Sequence, residues 1–165
     1  PLYSSAASDV YKRQEQYIEF PEKYTRRELN ARYREIPLKD TTSRPLRKYF
    51  NAMANLYGII PLHKAREIIF SLSPKLVMED EFLAFAEIAR HECEDYYILG
   101  GDELYTDVKR TKPLDREIID VTLIEESIDL FIETKRSQQE KPYYVPDKKH
   151  LLEYDNPFYL SLIHI

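Results

Sequence analysis

Apolar residues recur at helical spacing along most of this chain, and alternate at strand spacing only in short stretches. Tyr17 to Phe20 alternates and reads as a short strand or a loose end. Thr25-Arg26-Arg27-Glu28 has the form of a capping box, with Tyr24 placed to staple onto Leu29. Leu29, Tyr33 and Ile36 then share one face, and Pro37 stops the helix. Lys39 to Ser43 reads as a polar connection. Leu46, Tyr49, Phe50, Met53 and Tyr57 form the apolar stripe of a second helix, with Gly58 suited to its C-terminal turn. Pro61 suits the first turn of a further helix with Ala65, Ile68, Ile69 and Leu72 as its stripe, broken at Ser73-Pro74. Another helix starts near Met78. Glu79, Asp80 and Glu81 complement its N-terminal dipole, and Phe82, Phe85, Ala86 and Ala89 make its buried face.

The period changes at Tyr96-Tyr97-Ile98-Leu99, which is aromatic and β-prone. Gly100-Gly101 reads as a two-residue hairpin turn, with Asp102 to Tyr105 returning as the partner strand. Beyond the basic connection Lys109 to Lys112, the pattern predicts helices over 114–120 and 124–137. An extended, proline-bounded stretch follows from Lys141 to Pro146, and Asp147 caps a short last helix through Tyr154.

The order helix, helix, helix, hairpin from Leu46 to Tyr105 is that of a winged helix, and equally that of an unrelated helical domain carrying one hairpin. The expected fold is a mainly α-helical α+β domain with a winged-helix-like core. That core spans residues 44–112, after an N-terminal helical segment at 15–43 and before a helical extension at 113–159.

The two ends change how much of the chain enters this reading. Ser4 to Gln14 reads SSAASDVYKRQ, the in-frame translation of a transposase sequencing adapter. Leu160 to Ile165 reads LSLIHI, the translation of the reverse complement of the same oligonucleotide. Residues 1–14 and 160–165 are therefore expected to be adapter-derived, and processing scars are set aside before fold reasoning. The genuine run is expected to be an internal fragment of a longer protein, from about Glu15 to about Tyr159.

Composition excludes several chemistries. The formal charge of −5 disfavours non-specific nucleic-acid binding. A 43% hydrophobic content with 14 tyrosines is enough to build a core. The three glycines, Gly58, Gly100 and Gly101, do not make a glycine-rich phosphate loop. The single cysteine, Cys93, excludes an internal disulfide or a cysteine-based zinc site and fits a reducing cytoplasm. No apolar run reaches transmembrane length, so no membrane partner is expected.

A winged helix that reads DNA lays its third helix in the major groove. Here that helix would bring Glu79, Asp80, Glu81, Glu87, Glu92 and Glu94 against a single Arg90, and the wing tip would be Asp102-Glu103. Nucleic acid is therefore disfavoured, and a protein-binding version of the fold is expected. The alternative, a DNA-binding regulator, would use the basic first helices through Arg26, Arg27, Arg44, Arg47 and Lys48. A solvated, partly ion-paired face is the simpler account of those residues.

His91-Glu92-Cys93 resembles a metal site, but residues two apart on a helix do not share a face. His63 and His150 would have to join them through the fold. His91 is better placed as a helix C-terminal residue. Cys93 is flanked by Glu92 and Glu94, which raise a thiol pKa and oppose nucleophilic use. No catalytic, cofactor-binding or metal residue is nominated. The tyrosines carry the stronger signal. Tyr96, Tyr97 and Tyr105 by the hairpin, with Tyr143 and Tyr144 in the proline-bounded stretch, are the candidate interaction surface. Packing at the rim of the core is the competing use of the same residues.

Five runs occur in a familiar order: NLYGIIPL (Asn55–Leu62), FAEIARHE (Phe85–Glu92), YYILGGDELY (Tyr96–Tyr105), KPYYVP (Lys141–Pro146) and LLEYDNPFY (Leu151–Tyr159). In these the chain resembles a group of uncharacterised proteins of anaerobic gut-type Firmicutes. Some of that group end in a SEC-C motif, the cysteine-rich zinc-binding tail also found on the SecA translocase. The resemblance implies a bacterial, metagenomic origin and zinc in a tail beyond Leu160, with no cofactor in the residues at hand. The expectation is a non-enzymatic cytoplasmic interaction or regulatory module with a protein partner. Two alternatives stand beside it: the winged-helix regulator that binds nucleic acid, and part of an enzyme whose active site lies outside these residues.

Overall fold

The computed structural model describes residues 18–139 and 141–155. The adapter-like ends and the start of the alternating stretch at Tyr17 lie outside the described residues.

Helix α1 (Arg26–Glu35) opens where the capping pattern places it, the Thr25 hydroxyl accepting the Glu28 N–H at 3.1 Å. Helix α2 (Asp40–Tyr57) begins earlier than the polar connection suggested, so residues 40–43 are its first turn. Pro45 then lies inside the helix, where its missing N–H forfeits only a bond to the first-turn carbonyls. Gly58 ends α2 at φ +74°, a conformation that side chains disfavour. It turns the chain into strand β1 (Ile59–Pro61), which the sequence pattern did not signal. Helices α3 (Leu62–Leu72) and α4 (Glu79–Ala89) follow as predicted. Strand β2 (Tyr96–Leu99) is also where the pattern put it.

The hairpin is a correction. Gly100-Gly101 is not a tight turn between strands; Gly101–Leu104 forms a single helical turn, α5. The Glu103 carboxylate accepts the Gly100 N–H at 3.0 Å, and Asp102 N–H donates to the Thr111 hydroxyl at 3.0 Å. Gly100 is required for a different reason. A Cβ there would stand 2.9 Å from the Thr111 Cβ, so the glycine lets residues 105–111 fold back across it. The partner strand comes later. After a short 3-10 turn (Pro113–Asp115), residues Glu117–Asp120 form strand β3 rather than the predicted helix over 114–120. The predicted helix over 124–137 is two pieces, α6 (Val121–Glu125) and α7 (Ile128–Gln138). Helix α8 (Lys148–Glu153) is capped by Asp147 as expected.

The sheet is antiparallel with strand order β1-β3-β2. Ile118 pairs with Ile60 on one side and Ile98 on the other, and Ile119 pairs with Ile59 and Tyr97. Successive strand residues point to opposite faces, so the sheet divides two cores. Ile60, Tyr96, Ile98 and Ile118 join the apolar faces of α2, α3 and α4. Ile59, Leu99 and Ile119 join Leu104, Ile124, Ile128 and Phe131 from α5 to α7. The core thus runs past residue 112: the central strand belongs to the segment that the sequence pattern assigned to a separate extension. The described chain is a mainly helical α+β fold. No helix among the described residues is long and apolar enough to cross a membrane.

Candidate functional site: a polar chamber and an aromatic surface on opposite faces of β2

Arg47 and Asn51 lie one turn apart on α2, so they share a face. That face looks toward the loop that leaves α4 and enters β2. Together they line a cavity of about 110 Å³ with Arg26 from α1 and with Glu92, Asp95 and Tyr96 from the loop and strand. Glu92 Oε1 is the hub of its wall. It accepts the Tyr33 hydroxyl at 2.6 Å and the Arg47 guanidinium at 3.1 Å. The same guanidinium lies 5.1 Å from the Tyr33 ring centroid and 5.7 Å from that of Phe85. Burial works against the Arg47 charge, but Glu92 and Tyr33 outweigh it, and its pKa is raised. Burial, then Glu92, pushes the Tyr33 phenol far above its ordinary range. Arg26 and Glu94 stand 3.5 Å apart at the mouth, an exposed pair that solvent screens.

Tyr96 is 5% exposed, and its hydroxyl is buried with no hydrogen-bond partner among the described residues. Burial, then the negative charge of Glu92, raises its pKa well above the ordinary value. This placement takes Tyr96 off any contact surface. Tyr97, its neighbour, faces the other side of the sheet. Its ring packs 4.9 Å from that of Phe20, and its hydroxyl donates to Glu125 at 2.5 Å. Burial and then Glu125 push that phenol up to about 12. Tyr105, half-buried, closes the α5 turn beside Val108. Phe20 and Val108 are 45% and 37% exposed, so Phe20 with Tyr97, and Val108 with Tyr105, present apolar surface on this side.

Tyr143 and Tyr144 lie elsewhere, against the end of α2. Tyr143 donates to the Ile59 carbonyl at 3.1 Å, and its ring meets Tyr57 edge-on at 5.2 Å. The Tyr144 carbonyl accepts the Tyr57 hydroxyl at 2.5 Å, while its own ring is exposed. The five candidate tyrosines therefore divide among a core position, the β2 surface and the α2 end.

The basic candidates divide too. Arg26 and Arg47 face carboxylates across the chamber, whereas Arg27, Arg44 and Lys48 are exposed. Arg90, at the end of α4, is only 10% exposed and forms an ion pair with Glu103. His91 Nδ1 donates to the Glu22 carbonyl at 2.7 Å, and the ring stacks on Tyr24 at 4.1 Å. His63 is exposed on α3, and His150 pairs with Asp147 at 2.7 Å. Burial, with a smaller push from Glu92, raises the Cys93 thiol pKa against the pull of Lys23 and Arg90. No group of three or more His, Cys, Asp or Glu side chains among the described residues is arranged to hold a metal.

Sequence reasoning missed Asn51 and Asp95 at the chamber, and Phe20 and Val108 on the aromatic side. Asn51 did leave a trace, as a polar residue one turn after Arg47. Compared with known protein families, curated proteins and solved structures, the chain matches none.

Proposed function

We propose that this chain is a non-enzymatic protein-interaction module on a winged-helix framework, and that its partner docks on the aromatic side of β2. The framework reading is supported by the order α2-β1-α3-α4-β2-β3 and the strand order β1-β3-β2. The segment between β2 and β3 then takes the place of the wing. The choice of a protein partner rests on α4, the third helix. Its sequence EDEFLAFAEIA holds no lysine or arginine, and Glu79, Asp80 and Glu87 are exposed on it. A phosphate backbone approaching that helix would be repelled. Phe20 and Tyr97 offer instead an apolar anchor next to acidic Glu19 and Glu125, a composition suited to a basic protein surface.

The alternative, nucleic-acid binding, retains Arg27, Arg44 and Lys48 as exposed cations on α1 and α2. Titration of labelled duplex DNA at low and at moderate salt decides between the two. The expected result is no saturable binding at low salt. Tight binding that weakens steeply as salt rises overturns the protein-docking reading. Phe20→Ala is expected to reduce capture of the partner without moving the unfolding midpoint, and Tyr97→Ala to reduce it with the fold retained but less stable, because Tyr97 also packs on the second core. Undiminished capture by the folded double variant counts against this surface.

A further inference from the structure

We infer that the cleft between the start of α2, the turn joining α3 to α4 and the start of α8 is a binding site for a small amphiphilic anion, an alkyl or aryl carboxylate. The cleft has a volume of about 440 Å³, within the range of small-molecule pockets. Thr41 and Pro45 come from α2, Ser73 to Leu76 from the turn, and Lys148 from α8. No residue of β2 lines it, so the inference is independent of the docking surface proposed above.

The walls are mainly apolar, and they are rigid. The Leu76 N–H donates to the Ser73 carbonyl at 3.1 Å, closing a four-residue turn with Pro74 in its second position. Proline there fixes φ in advance. Pro45 is fixed in the same way in the second turn of α2. Leu76 packs against the main core, which anchors the turn from behind. The Ser73 hydroxyl is already bonded to that of Tyr49 at 2.7 Å. Apolar surface held open by two prolines costs little ordering when a ligand covers it.

Charge selects the head group. Lys75 and Lys148 are exposed at the cleft, and neither makes an ion pair among the described residues. Among the described residues no carboxylate shares the lining with them, in a chain whose formal charge is −5. Two unmatched ammoniums over an apolar cleft attract an anion and repel a cation. The apolar walls then require a body behind the charge. A bare hydrated anion forgoes that contact, and a neutral alcohol forgoes the charge. A carboxylate with an apolar tail satisfies both. The cleft is also too small for the roughly 800 Å² that a standard protein interface takes from each partner.

The test titrates the full chain with octanoate, butanoate, octanol and octylammonium, each below its micelle concentration. The readouts are the backbone amide shifts of Thr41, Lys75, Leu76 and Lys148. Octanoate is expected to shift these amides saturably. Butanoate, four methylenes shorter, should bind at least tenfold more weakly, because each buried methylene contributes to affinity. Octanol should bind about tenfold more weakly, the combined worth of two exposed ion pairs, and octylammonium should not bind. The double variant Lys75→Gln/Lys148→Gln should lose the same tenfold for octanoate and leave octanol unchanged. Both lysines are exposed, so that variant keeps the fold. Thr41→Phe, at another exposed position, should fill the cleft and abolish binding. Octanol or octylammonium binding as tightly as octanoate overturns the inference. So does wild-type octanoate affinity in the double lysine variant, or octanoate shifts that fall on Phe20 and Tyr97 instead of the cleft.

Discussion

The ion pair between Arg90 and Glu103 ties the end of α4 to the turn after β2, and its removal has a calculable cost. Side chains are 10% and 15% exposed; the pair is made through Arg90 Nη2, and the Arg90 Nε is buried with no hydrogen-bond partner among the described residues. Glu103→Gln keeps the shape and leaves an amide oxygen to accept the Gly100 N–H, now bonded at 3.0 Å. What it removes is the charge that compensates Arg90. Breaking one side of a buried pair costs about 3–5 kcal/mol. The residual exposure lets water relax around the guanidinium, so the expected loss is about 3 kcal/mol, the lower end of that range. With a urea dependence of about 2 kcal/mol per molar, the unfolding midpoint falls by about 1.5 M. Arg90→Met should cost a similar amount. The double variant Arg90→Met/Glu103→Gln removes both charges, keeps an acceptor for the Gly100 N–H and is expected to lose only about 1 kcal/mol, for the amide left without its partner. Urea unfolding of the four proteins therefore gives a strongly non-additive cycle. A double variant equal to the sum of the singles, or a Glu103→Gln loss below about 0.5 kcal/mol, would mean that the pair behaves as a surface contact, and the reasoning would fail.

Three further outcomes follow from the core and the tyrosines. Gly58→Ala should destabilise by about 1–2 kcal/mol, because φ is +74° and the new Cβ would stand 3.2 Å from Leu123 Cδ1; a thermal midpoint equal to wild type contradicts this. Phe50→Ala should cost about 3–5 kcal/mol in chemical denaturation. Phe50 is fully buried, with the Phe82, Phe85 and Tyr96 rings at 5.6, 5.4 and 6.1 Å. Tyr57, Tyr97 and Tyr143 have pKa values raised, chiefly by burial, from the ordinary 10.0 to about 12. The folded state thus keeps protons that the unfolded state sheds, so this contribution is intact below about pH 10 and is lost as pH rises toward 12. Urea midpoints measured from pH 9 upward should fall across that window, and a flat profile would refute the assignment.

The helices were legible because their signals are local. Thr25 and Asp147 cap within three residues of themselves, and the stripes of α2, α3 and α4 need only a 3.6-residue period. The strands were harder because pairing is not local. Ile59-Ile60 and Ile118-Ile119 are two-residue apolar runs, too short for periodicity to separate strand from helix. They become strands only when they meet across about sixty positions, Ile60 opposite Ile118. Gly100-Gly101 misled for a related reason. The glycines answer the approach of Thr111, a contact no short window contains. At the site, adjacent strand residues must face opposite ways, so one of Tyr96 and Tyr97 had to leave the surface. Which one depended on the core that Ile98 and Ile118 build. The chamber was invisible for the same reason, since Arg47 and Glu92 meet across 45 residues.

Several of the least exposed cations of the chain are held by its own carboxylates. Glu92 takes Arg47, Glu103 takes Arg90, Glu87 takes Arg116 at 2.6 Å and Glu117 takes Lys135 at 2.6 Å. Each of these pairs joins residues far apart in sequence, and each cation so held is withdrawn from any phosphate. Arg90 and Arg116 are the important cases, because they border α4 and the segment between β2 and β3, where a winged helix meets DNA. The exposed candidates Arg27, Arg44 and Lys48 sit on α1 and α2 instead. The nucleic-acid alternative must therefore choose. Docking by α4 would follow the proposed winged-helix framework but meets a helix with no lysine or arginine of its own; docking by α1 and α2 has the charge but gives up the geometry that suggested DNA at all. The two supports of that alternative lie on different elements of the fold, and protein recognition is the reading that needs neither.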